Sequence, residues 1–374
     1  MSPTKRTPKH PAYGSRRRAV LGRCAETDKV RAMLVSRPPD VRYLTGFTGE
    51  DSWLLFGGGW ATLITDGRFA EQARRECPKI DVAVRTGAME PEAAAAVKKR
   101  RIRRLAVQGT HMTVRAHQKL GEHLPRVRLA PVADVVRKVR AVKADHEVRA
   151  LRKAIRVAER AFKEFLAPGA KALVGRTERA AAARLDHLMR LGGASGPAFE
   201  TILAAGRHGS LCHYRPGSTV IRRNQAVLVD WGARVGGYCS DLTRVIFTGR
   251  IPARIGEIYP VVLEAQRTGI ATIRSGVACR TVDAAARAVI AAAGYGEAFR
   301  HSLGHGIGLE VHEAPGLART QGGRLRSGMV VTVEPGIYLP GLGGVRIEDD
   351  VLVTRQGPKR LSALPRDIQA MVVR

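Results

Sequence analysis

Four carboxylates stand in runs that otherwise read as buried strands. Asp230 closes Ala226-Val-Leu-Val, Asp241 opens Leu242–Phe247, Glu334 follows Val330–Val333, and Glu348 lies within Val345–Val351. An unpaired carboxylate in apolar surroundings is very costly, so each must find a partner or sit at a turn. A turn accounts for one such residue; four together are hard to explain that way. The link Arg234–Gly237 has hairpin chemistry, so the strands on either side are expected to pair antiparallel and bring Asp230 and Asp241 close together.

Histidines form a second anomaly. The segment His301-Ser-Leu-Gly-His305-Gly-Ile-Gly-Leu-Glu-Val-His312-Glu-Ala-Pro is glycine-rich and spaces its histidines by four and seven residues, while His213 stands apart in Leu-Cys-His-Tyr-Arg-Pro. Asp230, Asp241, His305, Glu334 and Glu348 can be grouped as an oxygen-rich set with one nitrogen. Such a set suits two divalent ions held by bridging carboxylates, and the four negative charges balance two dications.

The rest of the chain sets the frame. A length of 374 residues predicts two domains of roughly 100–200 residues each. With 44% apolar and 26% charged residues it can bury sizeable cores. No stretch approaches the ~18 apolar residues of a membrane span. Residues 1–28 are basic, with Pro and Ser early on, and lack the ~7–15-residue apolar core of an export signal, so they read as a disordered tail. From 29 to 140 short strands (Ala32–Val35, Trp53–Phe56, Ala61–Ile64, Arg104–Val107) interleave with helices at Phe69–Glu76 and Pro91–Lys99, which predicts a small α/β domain.

A boundary near 140 leads into a C-terminal α+β domain, 141–374. Its first helix shows Val148, Leu151, Ile155, Ala158, Phe162 and Phe165 at three- and four-residue steps, with Asp145 as the expected cap. Further helices are expected from Thr177, Gly256 and Thr281, and strands over Ala226–Asp230, Tyr238–Phe247, Met329–Val333, Gly344–Glu348 and Asp350–Val353.

The five cysteines are odd in number and lack a Cys-x-x-Cys pair, which fits free thiols in the cytoplasm. The net charge is +30, from 63 basic and 33 acidic residues. The arginines are scattered rather than gathered, and Lys98–Arg104 falls at a helix C-terminus, where cations suit the dipole. Aromatic residues make up 5%, too few to suggest stacking platforms, so nucleic acid is disfavoured as a partner. His208, His111, His117, His123 and His187 carry no required role, Asp349 and Asp350 read as a turn or as support for Glu348, and Trp53 and Trp231 read as core.

Five stretches carry a resemblance: Val229-Asp-Trp-Gly-Ala with Ser240-Asp-Leu-Thr-Arg, the box from His305 to Pro315, Val333-Glu-Pro-Gly-Ile-Tyr, and Val345-Arg-Ile-Glu-Asp-Asp. They resemble the pita-bread metallopeptidases of family M24, most closely the branch of Xaa-Pro aminopeptidases and prolidases. Val41-Arg-Tyr-Leu-Thr-Gly-Phe-Thr-Gly and Thr65-Asp-Gly-Arg resemble that branch's creatinase-type N-terminal domain.

The resemblance implies a C-terminal pita-bread domain behind a smaller α/β domain. It implies that Asp230 chelates one metal, that Asp241 and Glu348 bridge two, and that His305 and Glu334 complete the second. A water shared by the ions, manganese by expectation with cobalt, zinc or iron open, would attack the peptide bond before proline. Glu334 would shuttle its proton, His213 and His312 would bind the scissile carbonyl and adjacent peptide, His301 would lie near the proline pocket, and Arg346 would orient the carboxylates.

The expected activity is an Xaa-Pro aminopeptidase, with a prolidase as the alternative, acting as a homodimer or larger assembly. A methionine aminopeptidase would not need residues 29–135, a creatinase-like enzyme would not need five ligands, and a non-catalytic binding protein would tend to lose them.

Overall fold

The computed structural model describes residues 13–28 and 30–374. The chain divides into two compact units, 1–140 and 141–374.

The first unit is a six-stranded mixed sheet flanked by helices. Its elements are α1 (Tyr13–Asp28), β1 (Ala32–Val35), α2 (Pro38–Thr45), β2 (Trp53–Gly57), β3 (Ala61–Asp66), α3 (Ala70–Glu76), β4 (Asp81–Arg85), α4 (Met89–Lys99), β5 (Arg104–Gln108), α5 (Val114–His123), β6 (Arg128–Val132) and α6 (Val135–Arg140). The strand order is β4-β3-β2-β1-β5-β6, with β2 antiparallel to both neighbours and the outer pairs parallel. Lys98 and Lys99 do occupy the last turn of α4.

Residues 13–28 correct the expectation of a disordered tail: they form α1, while residues 1–12 lie outside the described residues. The basic residues that suggested solvation have specific acceptors. Arg16 and Arg17 each donate at 2.8 Å to the carbonyls of Tyr43 and Leu44, which end α2. Cationic donors suit the unsatisfied carbonyls of a helix C-terminus, and Val20 and Cys24 of the same helix are fully buried.

The second unit contains α7 (Asp145–Leu166), α8 (Glu178–Leu191), β7 (Gly196–Pro197), β8 (Ile202–Ala205), β9 (Ala226–Trp231), β10 (Ala233–Val235), β11 (Tyr238–Cys239), β12 (Leu242–Phe247), α9 (Ala253–Thr272) and α10 (Cys279–Ala292). Then come β13 (Gly304–Gly306), β14 (Glu313–Leu317), β15 (Val330–Val333), β16 (Gly336–Leu339), β17 (Gly343–Arg346), β18 (Asp349–Val353) and β19 (Pro358–Arg360). The sheets run β12-β9-β8, β11-β10-β7, β14-β13-β15-β18-β19 and β16-β17.

The apolar stripe of α7 faces this core: Leu151, Ile155, Ala158 and Phe165 are fully buried, and the Phe162 ring stacks 4.0 Å from Trp231. The cap of α7 differs from the expectation, since Ala144 precedes the helix and Asp145 is its first residue. The Glu147 carboxylate takes over the capping task by accepting from the Ala144 N–H at 3.1 Å.

Two strands expected as continuous are broken where a carboxylate stands. The run 238–247 divides into β11 and β12, which pair with different partners, and Asp241 falls between them. Gly344–Glu348 ends at Arg346, so Glu348 lies where the chain passes from β17, paired with β16, to β18, paired with β15.

Candidate active site

β9 and β12 pair antiparallel as the hairpin chemistry predicted, but Thr243 rather than Asp241 faces Asp230. Asp230 accepts from Arg346 Nη2 at 2.6 Å on Oδ2, while its Oδ1 is buried without a partner. Glu348 accepts from the Thr243 hydroxyl at 2.7 Å on Oε2, and its Oε1 is likewise buried and unpartnered. The Asp241 backbone N–H donates to Asp350 at 3.3 Å.

His305 lies at the centre of β13, where Gly304 lets the strand approach β15: a Cβ there would strike the Thr332 carbonyl. The Nδ1 of His305 lies 3.1 Å from the Gly306 carbonyl, which fixes a proton on Nδ1 and leaves Nε2 as the donor atom for a cation. That Nε2 is 3.3 Å from Glu334 and 3.6 Å from Asp241. Ligand atoms of Asp241, His305 and Glu348 all lie within 4.8 Å of one another.

The electrostatics describe a site short of positive charge. Burial raises the Asp241 and Glu348 carboxyls well above their ordinary values, and repulsion from neighbouring carboxylates adds to it. Burial also raises Asp230, against the pull of Arg346. Burial alone would raise Glu334 too, but its hydrogen bond and charge contact with His305 hold it at about 2. Burial works against protonation of His305, yet Glu334 raises it. Two orphaned carboxylate oxygens, mutually repelling acids and one ring nitrogen are the donor chemistry that divalent cations satisfy, so the residues present fit such ions.

The substrate-side candidates surround this cluster. Arg346 Nη1 donates to the Tyr338 hydroxyl at 2.8 Å, and Tyr338 lies 2.8 Å from His301 Nε2. The Nδ1 of His301 is 2.8 Å from the Ser302 carbonyl, so the chain of donors runs from Arg346 through Tyr338 and His301 to Ser302. Burial pushes His301 and His312 below the ordinary histidine value. The His312 ring is 4.3 Å from that of His305.

Asp230, Asp241, His305, Glu334, Glu348, His213, His301, His312 and Arg346 all line one pocket of about 630 Å3. His208 does not line it but bonds to Glu178 at 2.9 Å. Asp349 and Asp350 lie in β18 rather than a turn; Asp349 is fully buried against Arg244 at 2.8 Å. Trp231 is fully buried, as expected of core.

Sequence reasoning missed the hydroxyls. Thr332 Oγ1 donates to Glu334 at 3.1 Å, and Thr243 holds Glu348. Each stands two residues from a candidate ligand, Thr332 before Glu334 and Thr243 after Asp241. That period-two spacing was the available signal.

A small α/β unit followed by a unit whose strands converge on carboxylates and one histidine defines a two-domain metal-dependent hydrolase. Residues 149–355 match metallopeptidase family M24, and residues 16–142 match the Creatinase/Prolidase N-terminal domain. The chain belongs to metallopeptidase family M24.

It is 35% identical to the Xaa-Pro dipeptidase of Pyrococcus horikoshii, over 92% of this chain and 95% of the relative. Among solved structures, the Xaa-Pro dipeptidase from Bacillus anthracis superposes with a TM-score of 0.90 at 36% identity, covering 96% of this chain and 99% of the other. The X-Pro aminopeptidase from Thermotoga maritima gives 0.86 at 35% identity, covering 94% and 100%.

Proposed function

We propose that this metallopeptidase is an Xaa-Pro dipeptidase, cleaving the peptide bond between an N-terminal residue and a following proline. The dipeptidase reading is carried by the relatives of known name, which include Xaa-Pro dipeptidases matched over nearly their whole length.

Asp230, Asp241, His305, Glu334 and Glu348 would hold two divalent ions, manganese by preference. When bound, the ions supply Lewis acidity and a nucleophile at neutral pH. Thr332 donates to Glu334 Oε1 and orients the carboxylate, which would take the proton of the attacking water and return it to the departing amine. His213 and His312 donate to the scissile carbonyl as it gains negative charge. His301, its proton fixed on Nδ1 by Ser302, borders the proline, and Arg346 keeps Asp230 oriented.

A specific observation favours the second reading, an Xaa-Pro aminopeptidase acting on longer peptides. The pocket's two arginines are both engaged: Arg346 with Asp230, Thr243 and Tyr338, and Arg215 with Glu200 at 3.3 Å. Arg346 is buried and committed, and Arg215 is held only by an exposed surface pair, so a dipeptide's terminal carboxylate would meet no buried, uncommitted arginine among the residues lining the pocket. The Thermotoga maritima neighbour points the same way.

Purified protein with added Mn2+ should be offered Ala-Pro, Ala-Pro-Ala and Ala-Ala-Ala, with and without chelator. Cleavage of Ala-Pro alone, lost with chelator, is the expected outcome. Release of alanine from Ala-Pro-Ala would establish the aminopeptidase instead. No cleavage with any metal would overturn both readings. A homodimer is proposed alongside, on the family resemblance, and light scattering tests it.

A further inference from the structure

Glu178 opens α8, with Thr177 as its cap, and its side chain is fully buried. Among the described residues it has no lysine or arginine partner. Its four hydrogen bonds instead come from one stretch of chain. Oε1 accepts from the Ala205 N–H at 2.8 Å and from His208 Nδ1 at 2.9 Å. Oε2 accepts from the Tyr214 hydroxyl at 2.6 Å and from the Gly217 N–H at 3.2 Å. The His208 and Tyr214 rings stack on each other with centroids 4.5 Å apart.

A buried carboxylate without a lysine or arginine partner is expensive, and here it stands at the positive end of a helix with every acceptor site filled. Two oxygens accepting four donors is a task for an ionised carboxylate; a glutamine offers one acceptor oxygen and sets an N–H2 against the remaining donors. The donors flank His213 on both sides, and the same segment brings Cys212, His213 and Arg215 to the wall of the pocket.

We propose that Glu178 is a positioning residue for His213: by fixing residues 205–217 at four points it holds the imidazole where it meets the substrate carbonyl. The inference rests on the peptidase reading above, in which His213 touches the peptide. His208 and Tyr214 belong to the same device, as donors that keep the carboxylate in place.

A double-mutant cycle separates positioning from simple stapling. Glu178→Gln should lower kcat roughly 10–100-fold, the scale of a displaced catalytic contact, with KM changed far less and metal content unchanged. In a His213→Ala background the same substitution should cost less than about twofold, because the group it positions is gone. Equal cost in both backgrounds would overturn the proposal.

Tyr214→Phe keeps the ring stack and deletes one donor. It should show a smaller loss with the same dependence on His213, and it serves if Glu178→Gln does not fold. Hydrogen exchange provides an arm independent of activity: residues 205–217 should exchange faster in both variants while the rest of the chain is unchanged. Unchanged exchange there would also sink the inference. A wild-type protein that cleaves no Xaa-Pro peptide would fail the peptidase reading instead, and the exchange arm would still decide whether Glu178 holds the loop.

Discussion

Arg346 shows how much of the site depends on groups that would not touch a metal. Its guanidinium is fully engaged, reaching Asp230, Thr243 and Tyr338, and it is the cation that offsets the burial of Asp230. Arg346→Ala would leave both Asp230 oxygens without a partner, since Oδ1 already has none. Loss of such a supporting contact typically weakens metal affinity ~10–100-fold. The expected result is a correspondingly weaker Mn2+ titration in a folded protein, read by metal-dependent rate and by equilibrium dialysis.

Glu348→Ala removes a candidate ligand and should abolish both metal loading and turnover; a variant that kept two ions and full rate would remove Glu348 from the site. These acids were legible because carboxylates in apolar runs are anomalous in any sequence. Thr243, Thr332 and Tyr338 were harder to find: threonine and tyrosine are ordinary strand residues, the two-residue spacing from an acid marks only the two threonines, and nothing local marks Tyr338.

At the scale of elements, burial periodicity located the strands but not where they change partners. Residues on both sides of Asp241 are buried, so 238–247 reads as one strand, yet β11 bonds to β10 and β12 to β9. A hydrophobic pattern reports what leaves water and is silent about which backbone accepts the hydrogen bond.

The corner itself is tight. A Cβ on Gly232 would collide with the Ser240 carbonyl and the Phe199 ring, and Ser240 immediately precedes Asp241. Gly232→Ala must therefore push the two strands apart beside two candidate ligands. Overpacking of this kind costs ~1–3 kcal/mol, so the urea midpoint should fall. Metal-dependent activity should fall further than stability alone explains, because Asp230 and Asp241 are displaced relative to His305. Wild-type midpoint and rate together would show that the corner has slack.

Over the whole molecule, α1 and the acidic cluster make opposite points about charge. The basic N-terminal segment looked solvated, because composition cannot show that Arg16 and Arg17 have carbonyls waiting at the end of α2. The acidic cluster is the reverse case: it folds into apolar surroundings with its carboxyls raised by burial and by one another, and so it works against the stability of the unit that contains it. Ions that bind the folded unit and not the unfolded chain stabilise it by mass action, about 2.7 kcal/mol at a free concentration of ~100 Kd.

Exhaustive chelation should therefore lower the thermal midpoint and re-addition of Mn2+ should restore it. The effect should be local to residues 141–374, whose core is separate from that of the first unit. Hydrogen exchange should rise in β9, β12, β13, β15 and β18 on chelation and stay unchanged in β1–β6. A midpoint that ignores chelator, or exchange that rises equally in both units, would show that the carboxylates are reconciled with burial by something other than bound cations.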